Sequence, residues 1–215
     1  MEVLLHVGTA LVVLAYYREK SGYLLAPRFD GERNRYRAAI VVGLIPAMVV
    51  GLFLRDRIEA LFETPYPTLG ALAATGIFLL ATRLARGKER RLTLAVAFLI
   101  GIAQAVAILP GISRSGATIA AALFLGLPRR EAAQFSFLLS VPAILGAALL
   151  TARDLPGSSP GAGFLLPALA GTAAAMIAGY LALRYLVRVV EAGRIDRFGW
   201  YCLAAALVAT AALVL

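Results

Sequence analysis

The chain has 215 residues, of which 61% are hydrophobic and 15% are charged, and its mean hydropathy is +0.84. This apolar share exceeds that of soluble domains and predicts an integral membrane protein, because no soluble domain fits between the apolar runs. The net charge of +9 does not indicate nucleic-acid binding, since the Lys and Arg residues lie mainly in short segments beside apolar runs. The single cysteine, Cys202, excludes an internal disulfide and a cysteine-based metal cluster.

Apolar segments of the length needed to cross a bilayer recur along the chain, and they predict an all-α, polytopic fold in a single domain from 1 to 215. In chain order they are about 2–17, 38–54, 68–85, 92–109, 132–151, 164–187 and 198–215. The strongly basic loops 18–37 and 83–91 should face the cytoplasm, and the loops 55–67 and 153–163 should face outward.

These orientations require the segment 92–128 to enter and leave the membrane on one side. Pro110 lacks an N–H and Gly111 can adopt positive φ, so the two residues should break this segment into half-helices. The sequence therefore predicts a re-entrant helix pair around residues 101–127, which is tolerated only where the backbone is buried in protein or lines a wet cavity. The alternative is that 92–109 crosses completely and that the charge count misleads.

Two segments of the chain are related. Residues 2–10 and 136–144 share Leu-Leu-x-Val in register, and each is followed by two further spans in what the charges predict to be opposite orientations. We interpret them as two inverted repeats, about 1–91 and about 92–215, of which the first is incomplete at its start. Inverted repeats build polar sites from broken helices near the midplane of the membrane.

The segment after the break has the chemistry of an anion site. Ser113 or Ser115 could cap the second half-helix, whose free N–H groups attract an anion. Arg114 adds a planar fork of five donors that matches phosphate oxygens. Since no acidic residue lies in either half-helix, anion binding is favoured over a structural ion pair. The predicted site residues are Arg114, Ser113, Ser115 and Thr118, with Gly111, Gly116 and Gln104 as substrate-binding residues.

Other polar residues of the spans have simpler interpretations. Gln104 lies two turns before the break and either lines the same pocket or hydrogen-bonds a neighbouring helix. Ser136, Ser140 and Thr9 are interpreted as interhelical contacts rather than ligands. His6, the only histidine, is interpreted as a packing residue.

Four stretches resemble one known family, the undecaprenyl-diphosphate phosphatases, also called the bacitracin-resistance family. They are LPGISRSGATI at 109–119 with Gln104-Ala105 upstream, EAAQFSFLLSVPAILGA at 131–147, VGLIPAMVVGL at 42–52 and EVLLHVGTALVVLAYYR at 2–18. The resemblance implies hydrolysis of undecaprenyl diphosphate to undecaprenyl phosphate and inorganic phosphate at the outer face of the bacterial plasma membrane, which recycles the lipid carrier for cell-wall synthesis and confers bacitracin resistance. It also implies that Arg114 binds the diphosphate and that Ser113, Ser115 and Thr118 belong to the same catalytic site.

The resemblance also implies a divalent cation, Mg²⁺ or Ca²⁺. In the family an N-terminal re-entrant segment carries a Glu-x-x-x-Glu pair followed by a Ser-Ser-Thr-Gly-His element, and this sequence has neither. The ligands of the cation are therefore not present in this sequence. We expect the 215-residue form to bind phosphate but to hydrolyse it poorly, as would follow from a start codon placed too far downstream or from a truncated copy.

Three rival functions follow from the same residues. A transporter of lipid-linked or small phosphates would also use inverted repeats and re-entrant helices. A lipid phosphatase that uses two histidines is excluded by the single histidine. A non-catalytic membrane subunit that binds phosphate is the third, and small residues at 171–175 and at Gly179 would permit a homo-oligomer.

Overall fold

A computed structural model describes residues 2–25, 30–54, 57–58, 61, 64–85, 89–153 and 162–214. The described part contains helices and no strand, which confirms the all-α prediction. The helices are α1 (Glu2–Tyr16), α2 (Arg18–Leu25), α3 (Gly31–Phe53), α4 (Pro65–Ala81) with a 3-10 turn at Thr82–Leu84, α5 (Leu94–Val106), α6 (Arg114–Phe124), α7 (Arg129–Arg153), α8 (Ala162–Glu191) and α9 (Asp196–Val214).

Four of the described helices are long and apolar enough to cross a membrane, as the sequence predicts for a polytopic protein. They cover Gly31–Phe53, Pro65–Leu84, Arg129–Thr151 and Leu166–Glu191. The protein is therefore a multi-pass membrane protein. Its orientation stays a prediction; of the predicted outward segments, 153–163 lies largely and 55–67 partly outside the described residues.

The basic segment 18–37 was expected to be a loop, and this expectation is wrong for most of its length. It contains α2 and the first turns of α3, which begins seven residues before the predicted start at 38. The reason is local: the Asp30 carboxylate accepts a hydrogen bond from the Arg33 backbone N–H at 2.9 Å and caps the helix. The charged residues therefore extend a helix whose apolar part alone was recognised in the sequence.

The helices pack in pairs that join the two halves of the chain. Helix α1 packs against α7 and α8, α3 packs against α5, and α4 packs against α9. Helix α7 supplies the most buried side chains, among which Phe135, Leu138 and Leu139 are fully buried. The counterparts α1 and α7 of the predicted repeat are thus neighbours, as are α4 and α9, while the inverted repeat itself stays a prediction.

Helices α5 and α6 form a hairpin in the middle of the chain. They have 13 and 11 residues, and α5 ends at Val106 instead of continuing to 109. The Arg90 backbone N–H donates to the Gly126 carbonyl at 2.9 Å, so the chain enters and leaves the hairpin at the same end. The predicted break at Pro110 and Gly111 lies in the turn between the two helices. The re-entrant position of this hairpin in a membrane stays a prediction.

Candidate anion-binding site

The turn between α5 and α6 is held by a threonine of α4. The Thr75 Oγ1 lies 3.3 Å from the Gly111 carbonyl oxygen, 3.3 Å from the Ser113 backbone nitrogen and 3.0 Å from the Ala71 carbonyl oxygen of its own helix. Its one hydroxyl proton is thus shared between the two carbonyls while its oxygen accepts from the Ser113 N–H, and the residue is buried. Thr75 was not identified in the sequence, although a hydroxyl within an apolar span is the signal that could have found it.

Gly111 permits the close approach of this turn to α4. Its φ is +91°, a conformation that side-chain-bearing residues rarely adopt, and a Cβ atom there would collide with the Thr68 carbonyl oxygen. Gly116 is buried, and a Cβ there would lie 3.0 Å from the Ser113 Oγ. The structure thus gives both glycines a packing reason, and their contact with substrate stays a prediction.

The N-terminus of helix α6 is capped by a side chain and, in the part of the chain that the structure describes, keeps two free backbone N–H groups. The Ser113 side chain accepts from the Gly116 backbone N–H at 3.2 Å, which makes Ser113 the N-cap. Among the described residues, no hydrogen bond engages the backbone N–H groups of Arg114 and Ser115. These two donors and the helix dipole favour a negatively charged ligand in front of the helix.

A cavity of about 480 Å³ opens beside this helix start. Its wall is largely apolar, and none of the residues that line it is acidic. The polar side chains in the wall are Arg114, Ser115 and Thr118 from α6, Ser136 and Ser140 from α7, and Thr9 from α1. The structure therefore brings together three predicted site residues, and it adds the three hydroxyl residues that the sequence suggested to be packing contacts.

Three hydroxyl protons of the cavity wall are committed to backbone carbonyls. Thr9 donates to the Leu5 carbonyl at 2.9 Å, Thr118 to the Arg114 carbonyl at 2.9 Å, and Ser140 to the Phe137 carbonyl at 2.7 Å. Their oxygens can then only accept a hydrogen bond from a ligand. Thr118, a predicted site residue, therefore offers a ligand an acceptor and not a donor.

Two hydroxyls of the same wall are uncommitted. Ser115 makes no side-chain hydrogen bond within the described part of the chain. Ser136 is 3% exposed, and its Oγ has no partner among those residues. An unpaired buried hydroxyl is costly, and a phosphate oxygen would satisfy it.

Among the described residues, Arg114 carries the only charge in the cavity wall. Its guanidinium forms no ion pair or hydrogen bond with any of the residues described. An arginine at this depth is expensive unless an anion or a set of carbonyls compensates it. The five N–H donors of Arg114 and the donors of Ser115 therefore converge on a space that fits an anion with several oxygen atoms.

Four predicted site residues lie outside the cavity wall, namely Gly111, Gly116, Ser113 and Gln104. Ser113 is used as the helix cap, and Gln104 lies on α5. Gln104 is 1% exposed, and neither its amide nitrogen nor its amide oxygen has a hydrogen-bond partner among the described residues. Within the described part of the chain, Gln104 therefore neither lines the cavity nor hydrogen-bonds a neighbouring helix, and its role in binding stays a prediction.

The described residues contain no group of three or more His, Cys, Asp or Glu side chains that could hold a metal ion. The wall of the Arg114 cavity offers hydroxyls and a cation, which are poor ligands for Mg²⁺ or Ca²⁺. The divalent cation that the resemblance implies thus has no set of ligands in this part of the chain.

The fold and the cavity together define a class: a multi-pass, all-α membrane protein with an arginine-bearing cavity at the start of a short helix. Residues 1–208 match the family model described as bacitracin resistance protein BacA, and the chain belongs to this family. It is 39% identical to the undecaprenyl-diphosphatase of Geobacter sulfurreducens over 95% of this chain and 80% of that protein. It is 41% identical to undecaprenyl-diphosphatase of Desulfosudis oleivorans, over 94% and 80% of the two chains.

A third relative is undecaprenyl-diphosphatase 1 of Burkholderia pseudomallei, which is 41% identical over 95% of this chain and 78% of the relative. The resemblance noted in the sequence is thereby confirmed at the level of the family. All three relatives bear the name of a hydrolase, so the alternative of a phosphate transporter is not favoured.

Proposed function

We propose that the protein is a hydrolase that converts undecaprenyl diphosphate to undecaprenyl phosphate and inorganic phosphate. Water adds to the terminal phosphorus, the bond from that phosphorus to the bridging oxygen breaks, and the lipid keeps the remaining phosphate. The names of the relatives support the substrate. The single observation on this chain that carries the proposal is the unpaired Arg114 in a cavity wall whose other described residues are all uncharged.

The residues of the cavity act on the diphosphate by binding and by charge neutralisation. Phosphoryl transfer needs little covalent chemistry from the protein and depends on positioning and on stabilising the oxygens that carry charge. Arg114 would bind two oxygens of the terminal phosphate, and the N–H groups of Arg114 and Ser115 would bind another. Ser115 and Ser136 would donate further hydrogen bonds, while Ser113 keeps the helix start in place.

The proposal includes a divalent cation of the Mg²⁺ or Ca²⁺ type, which supplies additional neutralisation of phosphate charge when it is bound. Because the described residues offer no ligand set for it, no step of the reaction is derived through the cation. The binding roles of Arg114, Ser115 and Ser136 do not depend on it.

The proposal also includes the plasma membrane as the location, with the cavity open to the outer face. The reaction there would recycle the lipid carrier of cell-wall synthesis and confer bacitracin resistance. Helix α6 has 11 residues and spans about 16 Å, so Arg114 lies about 16 Å from the end of the bundle at which α7 begins. Because a bilayer has a hydrocarbon core of about 30 Å, this length supports a position of Arg114 near the middle of the membrane. A lipid diphosphate reaches this depth because its headgroup can enter laterally between helices.

The test is phosphate release from undecaprenyl diphosphate by the purified chain in detergent, with Mg²⁺ or Ca²⁺ added. Arg114→Lys keeps the charge but loses the planar fork, and we expect kcat/KM to fall by a factor of about 100 or more, as for loss of a bidentate transition-state contact. Arg194→Lys is the matched control, because Arg194 is exposed and outside the cavity. Equal rates for the wild-type chain and Arg114→Lys would contradict the proposal.

A further inference from the structure

A second cavity, with a more strongly charged wall, lies at the end of the bundle where α3 and α7 begin. It has a volume of about 870 Å³ and is bounded by the start of α3, the segment 89–92 before α5 and the start of α7. This end is the one that the positive-inside rule predicts to face the cytoplasm. It is separated from Arg114 by the length of α6, so the two cavities are distinct.

Arginines dominate the wall of this basic cavity. Arg35, Arg90, Arg91 and Arg130 line it, and none of them makes a side-chain ion pair or hydrogen bond within the described residues. Lys20 also lines it, but its ammonium is engaged with Glu32 at 3.2 Å. The remaining carboxylates of the wall belong to Glu89 and Glu131, so the unpaired arginines exceed the unpaired carboxylates by two.

Positive-inside topology alone explains charged loops that face water, but it does not explain their convergence. These arginines come from three separate segments and border one cavity between helices. The buried hydroxyl of Tyr36 adds a second observation, because Tyr36 lines the same cavity, is 8% exposed and has no hydrogen-bond partner among the described residues. Four guanidinium groups and a spare hydroxyl are the donors that phosphate oxygens need.

The surroundings of the basic cavity favour a lipid over a free ion. Leu92 lies in the cavity wall, and the apolar side chains of Val41 and Leu94, just beyond it on α3 and α5, are exposed. On α5 this exposed stripe continues through Phe98 and Ile102 at helical spacing. A headgroup in the basic cavity would therefore place its acyl chains directly on an apolar surface.

We propose that the basic cavity binds the phosphodiester headgroup of an anionic phospholipid. The excess of two arginines suits a headgroup with two phosphates, such as that of cardiolipin, and basic pockets between membrane helices at the cytoplasmic side bind such headgroups. Free inorganic diphosphate presents the same oxygens without acyl chains. The proposal stands independently of the hydrolase activity, because it uses no residue of the Arg114 cavity.

The test measures binding of cardiolipin to the delipidated full chain in neutral detergent, by native mass spectrometry and by the change in Tm. Arg35→Gln with Arg90→Gln removes two arginines of the cavity. The matched control is Arg188→Gln with Arg194→Gln, which changes the net charge equally at exposed positions outside the cavity. At low salt an arginine near an anionic headgroup contributes about fivefold to binding, so we expect about 30-fold weaker cardiolipin binding for the cavity pair and little change for the control pair.

Three results would overturn the proposal: equal losses in the two pairs, cardiolipin binding no tighter than that of phosphatidylcholine, or displacement of cardiolipin by millimolar inorganic pyrophosphate. The last result would assign the cavity to free phosphate compounds. If the double variant does not fold, Arg35→Gln alone should still weaken cardiolipin binding about fivefold. Phosphate release from undecaprenyl diphosphate by the cavity pair, measured in detergent without phospholipid, should equal that of the wild type.

Discussion

The hydroxyl of Thr75 is expected to hold the turn that places Arg114, and Thr75→Val removes it with almost no change in shape. Valine keeps the methyl group and the β-branch, so packing within α4 and against the turn is preserved. The variant leaves the Ser113 N–H without its acceptor and the Gly111 carbonyl without its donor. Any loss of activity is then due to the hydrogen bonds and not to a cavity.

The expected magnitude follows from the distances. A buried group left unpaired costs about 1–3 kcal/mol. Both contacts of Thr75 with the turn are 3.3 Å long, at or beyond the upper end of the usual range of about 2.7–3.2 Å. We therefore place the loss near the lower end, at about 1.5 kcal/mol, which corresponds to about tenfold in the population of the correctly placed turn. Since Arg114 follows Ser113 directly, kcat/KM should fall by a similar factor.

The assay compares kcat/KM for undecaprenyl diphosphate and Tm in detergent across three variants. Thr75→Ser keeps the hydroxyl and should retain most of the activity. Thr172→Val is the matched control, because the Thr172 hydroxyl donates only to the Ala168 carbonyl of its own helix at 2.8 Å. If Thr75→Val behaves like Thr172→Val in both measurements, the turn does not depend on Thr75 and the reasoning is refuted.

Three further predictions concern single positions. Ser136→Ala should raise KM about tenfold, which is the value of a hydrogen bond to a charged group. Tm should stay unchanged or rise, because the Ser136 hydroxyl is buried without a partner among the described residues. Ser140→Ala is the control and should alter KM little, because the Ser140 hydroxyl donates to the Phe137 carbonyl. Gly111→Ala should lower Tm and activity together, because the position has a positive φ and the added Cβ would collide with the Thr68 carbonyl oxygen. Gly70→Ala should be tolerated in the same assays, because no atom lies within 4 Å of its added Cβ. Gly101→Ala should push α5 from the Gly43 backbone and lower Tm, while Gly146→Ala, with open space around its Cβ, should not; equal melting of the two would contradict the tight crossing of α3 and α5.

The local chemistry of the turn was predictable from the sequence. Proline followed by glycine marks a break, so a new helix start capped by Ser113 or Ser115 could be predicted from neighbouring residues, and the structure assigns the cap to Ser113. The same holds for the all-α fold, which follows from the length of the apolar segments. The predicted start of α3 lies seven residues beyond the observed one, because the sequence prediction did not include the helix cap at Asp30.

The long-range contacts of the site were not predictable in the same way. Thr75 is 38 residues from Ser113, and the apolar run that contains it gives no periodicity from which the face toward the turn could be chosen. Thr9, Ser136 and Ser140 were recognised as polar residues within spans. The sequence does not distinguish a hydroxyl that hydrogen-bonds its own helix from a hydroxyl that faces a cavity. Their common wall follows only from the packing of α1 against α7.

The hydrogen bonds of the cavity separate donors from acceptors in a way that suits transfer of a phosphoryl group to water. The donors, which are Arg114 with the uncommitted hydroxyls of Ser115 and Ser136, can hold phosphate oxygens. Thr9 and Ser140 have given their protons to backbone carbonyls, so their oxygens repel phosphate but can accept hydrogen bonds from a water molecule. A cavity with donors alone would bind the anion without orienting a nucleophile, whereas phosphoryl transfer requires that both be positioned. Within the proposed function, the acceptor hydroxyls of Thr9 and Ser140 therefore have the chemistry to orient the attacking water.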